Sequence, residues 1–416
     1  MNLLFLHQNF PGQFRHIAAH FAAGSANRVV AIFDVANRPR AAAAHPGIEL
    51  RPYASPAGAH AATHGFVRGH EAAVRRGLAA TAAAKALLAE GFVPDLIVAH
   101  PGWGDALFLR DVFPAARIVQ HAEFFYQAAG ADVGFDPEFP PLADAAYRVR
   151  MKNTTQLLSM EQADLLIAPT QWQKSRFPAL LGERIAVAHE GIDTTLVRPD
   201  PRVRITLAKA GVTLSAGDEV VTYVARNLEP YRGFHVFMRA LPGLLRARPR
   251  ARVLIVGGDQ VSYGSKPADG ETWRARMLAE VGGQIDAGRV HFLGRLPYES
   301  YLRLLQVSAV HAYLTYPFVL SWSMLEAMAA GCMVVGSRTA PVEEVIKHGE
   351  NGWLVDFFDH RQLAEALAGA LEERSRLDGI RQAARRTVVE RFDLTTVCLP
   401  RQLEILQASG LRLSPE

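Results

Sequence analysis

Short apolar runs rich in leucine, isoleucine and valine recur along the chain, separated by longer segments whose apolar positions return every three to four residues. NLLFLH (2–7), RVVAIFD (28–34), DLIVAH (95–100), ARIVQH (116–121) and DLLIAP (164–169) are predicted strands of one sheet. They offer almost no polar position to solvent, the pattern of parallel strands covered on both faces. RHIAAHFAA (15–23) and GHEAAVRRGLAATAAAKALLAEG (69–91) carry helical spacing between them. A second series follows: EVVTYVA (219–225), RVLIVGG (252–258), RVHFLG (289–294), AVHAYLT (309–315), CMVVGS (332–337) and GWLVD (352–356), with the helical GFHVFMRALPGLLRA (233–247) among them. Strand and helix in alternation predict an α/β protein of two doubly wound units. We place them at residues 1–195 and 196–396, joined near 195–215 where VRPDPRVR has a linker's prolines, with a helix of about 397–416 packing back on the first.

Length agrees with that division. A chain of 416 residues, 49% of them hydrophobic, exceeds what one core sustains, since single cores stop growing at about 250–300 residues. Lys and Arg number 45 against 41 Asp and Glu, and the net charge of +4 is scattered rather than gathered in a basic run. Nucleic acid is therefore not an expected partner, while phosphates, or a peripheral contact with an anionic membrane, suit the balance. Only Cys332 and Cys398 are present, with no CxxC, which argues against a disulfide framework or structural zinc and for a reducing cytoplasm. The N-terminal apolar run ends after six residues, too early for a signal peptide, and no run approaches the ~20 residues of a spanning helix. The expected location is cytoplasmic, with any membrane contact peripheral at the inner face.

Ligands in doubly wound folds bind beyond the carboxyl ends of the strands, so the residues just past each strand are the candidates. Arg226 and Arg232 lie there in ARNLEPYRGFHVF. Planar guanidinium forks ahead of a glycine and a helix start would clamp a diphosphate, though two surface arginines in a polar loop would look the same. Glu326 stands alone in the apolar LSWSMLEAMAAG (320–331). A buried carboxylate needs donors, and the vicinal hydroxyls of a ribose are such donors; a solvated or internally satisfied glutamate is the alternative. Leu320, Ser321 and Trp322 begin that helix and would aim unpaired amide N–H groups at an anion, unless Ser321 merely caps it. In the first half, His7, His100 and His121 each end a strand, and Gly12 lies in the loop before a helix. The long loop AEFFYQAAGADVGFDPEFPP, with Phe124 and Tyr126, suits an acceptor pocket.

Taken in order, Arg226, the Arg232–Gly233 pair, VGG (256–258), HFLGRLP (291–297), LEAMAAG (325–331) and PVEEVIKHGENGWLV (341–355) resemble the donor half of family-4 glycosyltransferases of the GT-B fold. ADLLIAPTQWQKSRF and EGIDTTLVRP are similar to the segments before that family's interdomain linker. The resemblance implies two Rossmann-like domains facing a cleft, no metal and no cofactor beyond the donor. The implied activity is retaining transfer from a UDP- or GDP-sugar to a glycan, lipid-linked or small-molecule acceptor. It further implies that Arg226 and Arg232 grip the diphosphate, Glu326 the ribose, Gly294 and Arg295 the base, and that His121 lies under the sugar. Arg232 stands where the family usually has lysine, one position further on than the common spacing. Phe318 stands where a first glutamate usually reads the sugar. A nucleotide-sugar epimerase of the same fold, or a non-catalytic binding protein, are the competing implications.

Overall fold

The computed structural model describes residues 1–408 and 410. It divides into two compact units, Met1–Gly191 with Leu394–Glu416, and Ile192–Asp393. The boundaries thus fall at 191/192 and 393/394.

The first unit is a parallel sheet of seven strands: β1 (Asn2–Leu6), β2 (Arg28–Asp34), β3 (Ile48–Tyr53), β4 (Leu96–Ala99), β5 (Arg117–His121), β6 (Leu165–Ala168) and β7 (Ile185–Val187). They lie in the order β3-β2-β1-β4-β5-β6-β7, so the apolar runs of β1 and β4 lie at its centre. Strand residues alternate between two buried layers. Leu4, Leu6, Ile97 and Ile118 face one layer with Ala80, Ala84 and Leu87 of the helix Arg68–Ala89. Leu3, Phe5, Val98 and Val119 face the other with Phe14, Phe21, Ile405 and Leu406. Burial of both faces is what makes these strands continuously apolar.

β3 and β7, the two edges, are strands the sequence pattern did not announce. IELRPY interrupts its apolar positions with Glu49, Arg51 and Pro52, and IAV is only three residues long. The final stretch is not one helix. Asp378–Phe392 belongs to the second unit, Leu394–Cys398 forms a five-residue π turn, and Leu399–Ala408 packs through Ile405 and Leu406 on the first. The part of the expected 397–416 helix beyond 408 lies outside the described residues, apart from Gly410.

In the second unit the region expected as linker contains an antiparallel hairpin, β8 (Arg204–Leu207) with β9 (Val212–Ser215), whose turn is closed by Gly211 at φ 63°. The six-stranded parallel sheet comprises β10 (Val220–Asn227), β11 (Arg252–Gly258), β12 (Val290–Gly294), β13 (Val310–Tyr313), β14 (Met333–Ser337) and β15 (Trp353–Val355). Its order is β12-β11-β10-β13-β14-β15. The β10–β11 register slips between Val224 and Asn227, a bulge at the carboxyl end of the central strand. Gly233, at φ 66°, opens the helix Phe234–Ala247, and a Cβ there would fall under 3.0 Å from Leu314. No other residue type fits that junction. No helix among the described residues is long and apolar enough to cross a membrane.

Candidate functional site

The carboxyl ends of β1, β4, β5 and β7 bring four histidines and two glutamates of the first unit together. His7, His100 and His121, anticipated separately, form one array: the His7 and His100 rings are 5.2 Å apart, and those of His100 and His121 5.6 Å. Trp103 stacks on His100 at 4.3 Å, and Phe14 meets His121 edge-on at 6.1 Å. Gly12, at φ 49°, lies so close over His7 that a Cβ would sit 2.5 Å from its Nε2. His7 Nε2 is 2.7 Å from Gln13 Oε1, and Gln13 Nε2 donates to Glu123 Oε1 at 2.6 Å. Glu123 Oε2 in turn lies 3.4 Å from His100 Nε2. Past β7, Glu190 Oε1 lies 3.2 Å from His121 Nε2, and Oε2 lies 3.5 Å from His189 Nε2.

Burial and neighbours set the charges. Burial, reinforced by His100, lowers the His7 imidazole to about 3, and burial lowers His100 as well. His121 is the exception. Burial acts to lower it, but Glu190 outweighs that effect and the imidazole is raised. Burial acts to raise both carboxyls, yet His100 and His121 hold Glu123 at about 2, and His189 and His121 hold Glu190 at about 2. Asp105 is set apart: buried, bonded to the Tyr53 hydroxyl at 2.7 Å, it is raised by burial to about 6.

The expected acceptor-side aromatics are nearby in sequence but form their own wall. Phe124 stacks with Trp172 at 5.8 Å and meets Tyr126 edge-on at 5.3 Å, while Lys152 Nζ lies 3.5 Å over the Tyr126 ring.

In the second unit the two arginines are not equivalent. Arg226 ends β10, exposed and without an ion-pair partner among the described residues. Arg232 is buried, 7% exposed, and its Nη1 donates to Thr315 Oγ1 at 2.8 Å and the Val319 carbonyl at 3.0 Å, with the Tyr313 hydroxyl 3.4 Å away. Between them Glu229, fully buried, accepts from the backbone N–H groups of Ser262, Tyr263 and Gly264 at 2.9, 3.1 and 2.9 Å. That bond set fixes the loop after β11 and places Tyr263 with its ring centroid 4.8 Å from that of Phe318 and 5.4 Å from the Arg232 guanidinium. Phe318 is buried against Tyr231 and Tyr263, so the position where a carboxylate was expected is the centre of an aromatic cluster.

Glu326 is buried and hydrogen-bonded, as its apolar surroundings require. Its donors include two protein hydroxyls: Tyr298 Oη to Oε1 and Tyr301 Oη to Oε2, both at 2.7 Å. Tyr301 is buried, whereas Tyr298 is 41% exposed. At the start of the helix Trp322–Ala329, the Ser321 side chain accepts from Ser323 N, and Ser321 N donates to the Tyr313 hydroxyl at 2.8 Å. One of the three amides expected to face an anion is thus already engaged, and Ser321 does cap. Leu320 is buried and Trp322 half-buried beside it. Gly294 is left-handed, φ 66°, with open space where a side chain would be, and Arg295 Nη2 donates to Asn227 Oδ1 at 3.0 Å.

Both arginines precede the left-handed Gly233, one exposed and one buried, and the helix bearing Glu326 follows β13, the strand beside β10. A family model described as "Glycosyl transferase family 4 group" matches residues 25–197, and one described as "Glycosyl transferases group 1" matches 208–387. This chain belongs to the family-4 glycosyltransferases of the GT-B fold.

Among similar proteins, a D-inositol 3-phosphate glycosyltransferase of Nocardia farcinica is 30% identical over 222 residues, 52% of this family-4 chain and 47% of the relative. A GDP-mannose-dependent alpha-(1-6)-phosphatidylinositol monomannoside mannosyltransferase of Mycolicibacterium smegmatis is 27% identical over 309 residues, 71% and 72% of the two chains. The chain spans about half the length of most of the curated relatives it matches. Of solved structures, Anabaena HepE in complex with UDP superposes with TM-score 0.67 at 20% identity, covering 99% and 100% of the two chains. Sucrose-phosphate synthase from Thermosynechococcus elongatus gives 0.71 at 18% identity, covering 99% of both. These show the fold.

Glu190, His189, Gln13, Glu229, Tyr298 and Tyr301 were not singled out from sequence. Glu190 lies in HEGID, directly past a strand too short to be noticed, and Glu229 sits in a loop whose prolines and arginines look solvated. Both are buried because they have partners far along the chain.

Proposed function

We propose that the chain transfers a glycosyl group from a UDP- or GDP-sugar to a hydroxyl of a glycan, lipid-linked or small-molecule acceptor, with retention at the anomeric carbon. The observation that carries this reading is the pair Arg226 and Arg232 ahead of Gly233: one cation open to solvent, the other held rigidly by three oxygens. Preorganised positive charge of this kind stabilises a departing nucleoside diphosphate without reorganising. Names of relatives agree, one being GDP-mannose-dependent and acting on a phosphatidylinositol mannoside, and a structural neighbour being solved with UDP.

In this reading Glu326 accepts from the ribose, Gly294 and Arg295 border the base, and Leu320 and Trp322 lend amides to the phosphates. The first unit's His7, His100, Phe124 and Tyr126 serve the acceptor, Gly12 the donor and His121 the transferred sugar. The arginines supply the charge that a metal would otherwise bring, so transfer is metal-independent. We place the activity in the cytoplasm, with peripheral contact at the inner membrane face when the acceptor is lipid-linked. Phe318, in its aromatic cluster, leaves the donor sugar to be read by stacking and hydroxyl contacts instead of a carboxylate.

Because Tyr298 is half in solvent, a ribose hydroxyl can take its place on Oε1 while Tyr301 keeps Oε2. Tyr298→Phe is therefore expected to leave donor affinity and melting temperature unchanged. Tyr301→Phe should lower stability by about 1–3 kcal/mol, the cost of a buried unsatisfied acceptor. Glu326→Gln should weaken donor binding by about 1.5–3 kcal/mol, the value of a charge-assisted bond. Donor titration and thermal melts of the three variants check this; normal donor binding with early unfolding of Glu326→Gln would make the carboxylate purely structural. For the reaction itself, NMR of the first-formed product should show the donor's anomeric configuration, with the rate unchanged by EDTA. An inverted product would reject the retaining reading.

A further inference from the structure

His121 and Glu190 are brought together across β6: one ends β5, the other follows β7, and the sheet order sets those ends side by side. Both side chains are more than nine-tenths buried, and Nε2 of His121 lies 3.2 Å from Glu190 Oε1. The carboxylate is shared, since its second oxygen lies 3.5 Å from His189 Nε2. His189 is itself fixed, its Nδ1 accepting from Gly191 N at 3.0 Å and its carbonyl accepting from Gln402 Nε2 at 2.7 Å. A cavity of about 30 Å³, lined in part by Gln13, Phe14, His121, Glu190 and Gln402, opens against the pair. Among the described residues His121 Nε2 makes no aligned hydrogen bond, the Glu190 contact being an ion pair out of hydrogen-bond line. The titratable groups facing His121 are His7 past β1, His100 past β4, Glu123 past β5, and His189 and Glu190 past β7. His7 and His100 are held neutral by burial, so the charge that His121 meets is that of the Glu123 and Glu190 carboxylates.

We propose that Glu190 is a positioning residue that holds His121 in its doubly protonated form, so that His121 meets the substrate only as a hydrogen-bond donor. An imidazolium has no lone pair, so His121 cannot take the proton of the acceptor hydroxyl. Its partner must be an oxygen acceptor: a hydroxyl or ring oxygen of the sugar, or a phosphate oxygen. Burial keeps His7 and His100 neutral, so of three similar histidines the one beside Glu190 is the charged donor and the other two are uncharged rings. The inference rests on the glycosyltransferase reading for its consequence, but its primary test does not.

Imidazole 13C shifts of the intact protein, with His121 assigned through His121→Gln, should show His121 charged at pH 7 and titrating above the ordinary value. Glu190→Gln should move that midpoint down by one pH unit or more, about a tenfold change in the protonation equilibrium. Glu190→Asp, which keeps the charge, should retain most of it and serves if Glu190→Gln folds poorly. In kcat/KM the alkaline limb should move down with Glu190→Gln by the same amount. A neutral His121 at pH 7 in the unaltered protein, or a midpoint indifferent to Glu190→Gln, overturns the proposal. A chain with the expected titration but no sugar-nucleotide turnover would instead overturn the functional reading and leave the ion pair standing.

Discussion

Arg232→Ala is expected to cost both turnover and stability, and Arg226→Ala turnover alone. Arg232 supplies hydrogen bonds to Thr315 and the Val319 carbonyl from a buried guanidinium, and the segment it ties leads directly to Ser321 and the helix bearing Glu326. Removing it leaves those buried acceptors without their charged donor, at about 1.5–3 kcal/mol, or about 3–12 °C in Tm for a unit of this size. If the guanidinium also stabilises the leaving diphosphate, turnover should fall by about 10²–10³, the effect of deleting one preorganised donor elsewhere. Arg226 is exposed and unpaired, so its alanine variant should melt normally while losing turnover of the same order. Arg232→Lys separates the two roles. A lysine keeps a point charge but not the fork, so it should recover activity more fully than stability. Thermal melts paired with donor kinetics for the three variants decide it; an Arg232→Ala protein that melts early yet turns over normally would make Arg232 a strut and nothing more.

The second large effect is an acid lability confined at first to the first unit. His7 and His311 are each lowered by burial to about 3, so the unfolded chain gains protons on both below pH 6.5 that the fold refuses. His100 acts in the same direction. Asp105, raised by burial to about 6, opposes them between roughly pH 6 and its ordinary value of 3.8. Below pH 4.5 Glu123 and Glu190, both held at about 2, lose their native advantage as the unfolded carboxyls protonate. Each extra proton bound by the unfolded state tilts stability by about 1.4 kcal/mol per pH unit. The slope should thus be roughly twofold steeper below about pH 4 than near pH 5. All of these groups except His311 lie in the first unit. His121 runs the other way: raised by Glu190, its contribution is complete below pH 6.5 and disappears as pH rises through the native value. Amide hydrogen exchange followed from pH 7 to 3.5 should show protection lost first in β1, β4 and β5. Earlier loss in β10–β14, or a flat profile, would contradict the charge assignments.

Physical reasons separate what the sequence announced from what it withheld. Central strands such as NLLFLH and RVLIVGG are buried on both faces, and that alone produces runs of apolar residues that no other element explains as well. In the first sheet both edges were silent, because IELRPY has a polar side and a proline to keep and IAV is too brief to register. The hairpin at Arg204–Ser215 was hidden by the prolines just before it. At the site, position was legible and partnership was not. Glu326 required donors by its surroundings, but that Tyr298 and Tyr301 supply them depends on a helix 25 to 28 residues earlier. The three strand-end histidines could be counted from sequence. Their sorting into neutral and charged depends on burial and on Glu190, which only the strand order brings near His121. The family resemblance joined what spacing could not, naming the arginines and Glu326 together though each alone was ambiguous.

The central claim is that the chain moves a sugar from a nucleotide diphosphate. Release of UDP or GDP from a panel of sugar nucleotides by the purified chain, with and without an acceptor, tests it most directly. The account predicts release dependent on one nucleotide, stimulated by acceptor, insensitive to EDTA and abolished to within about 10²–10³ by Arg226→Ala. No release from any sugar nucleotide with any acceptor, by a folded protein that binds none of them, would contradict it.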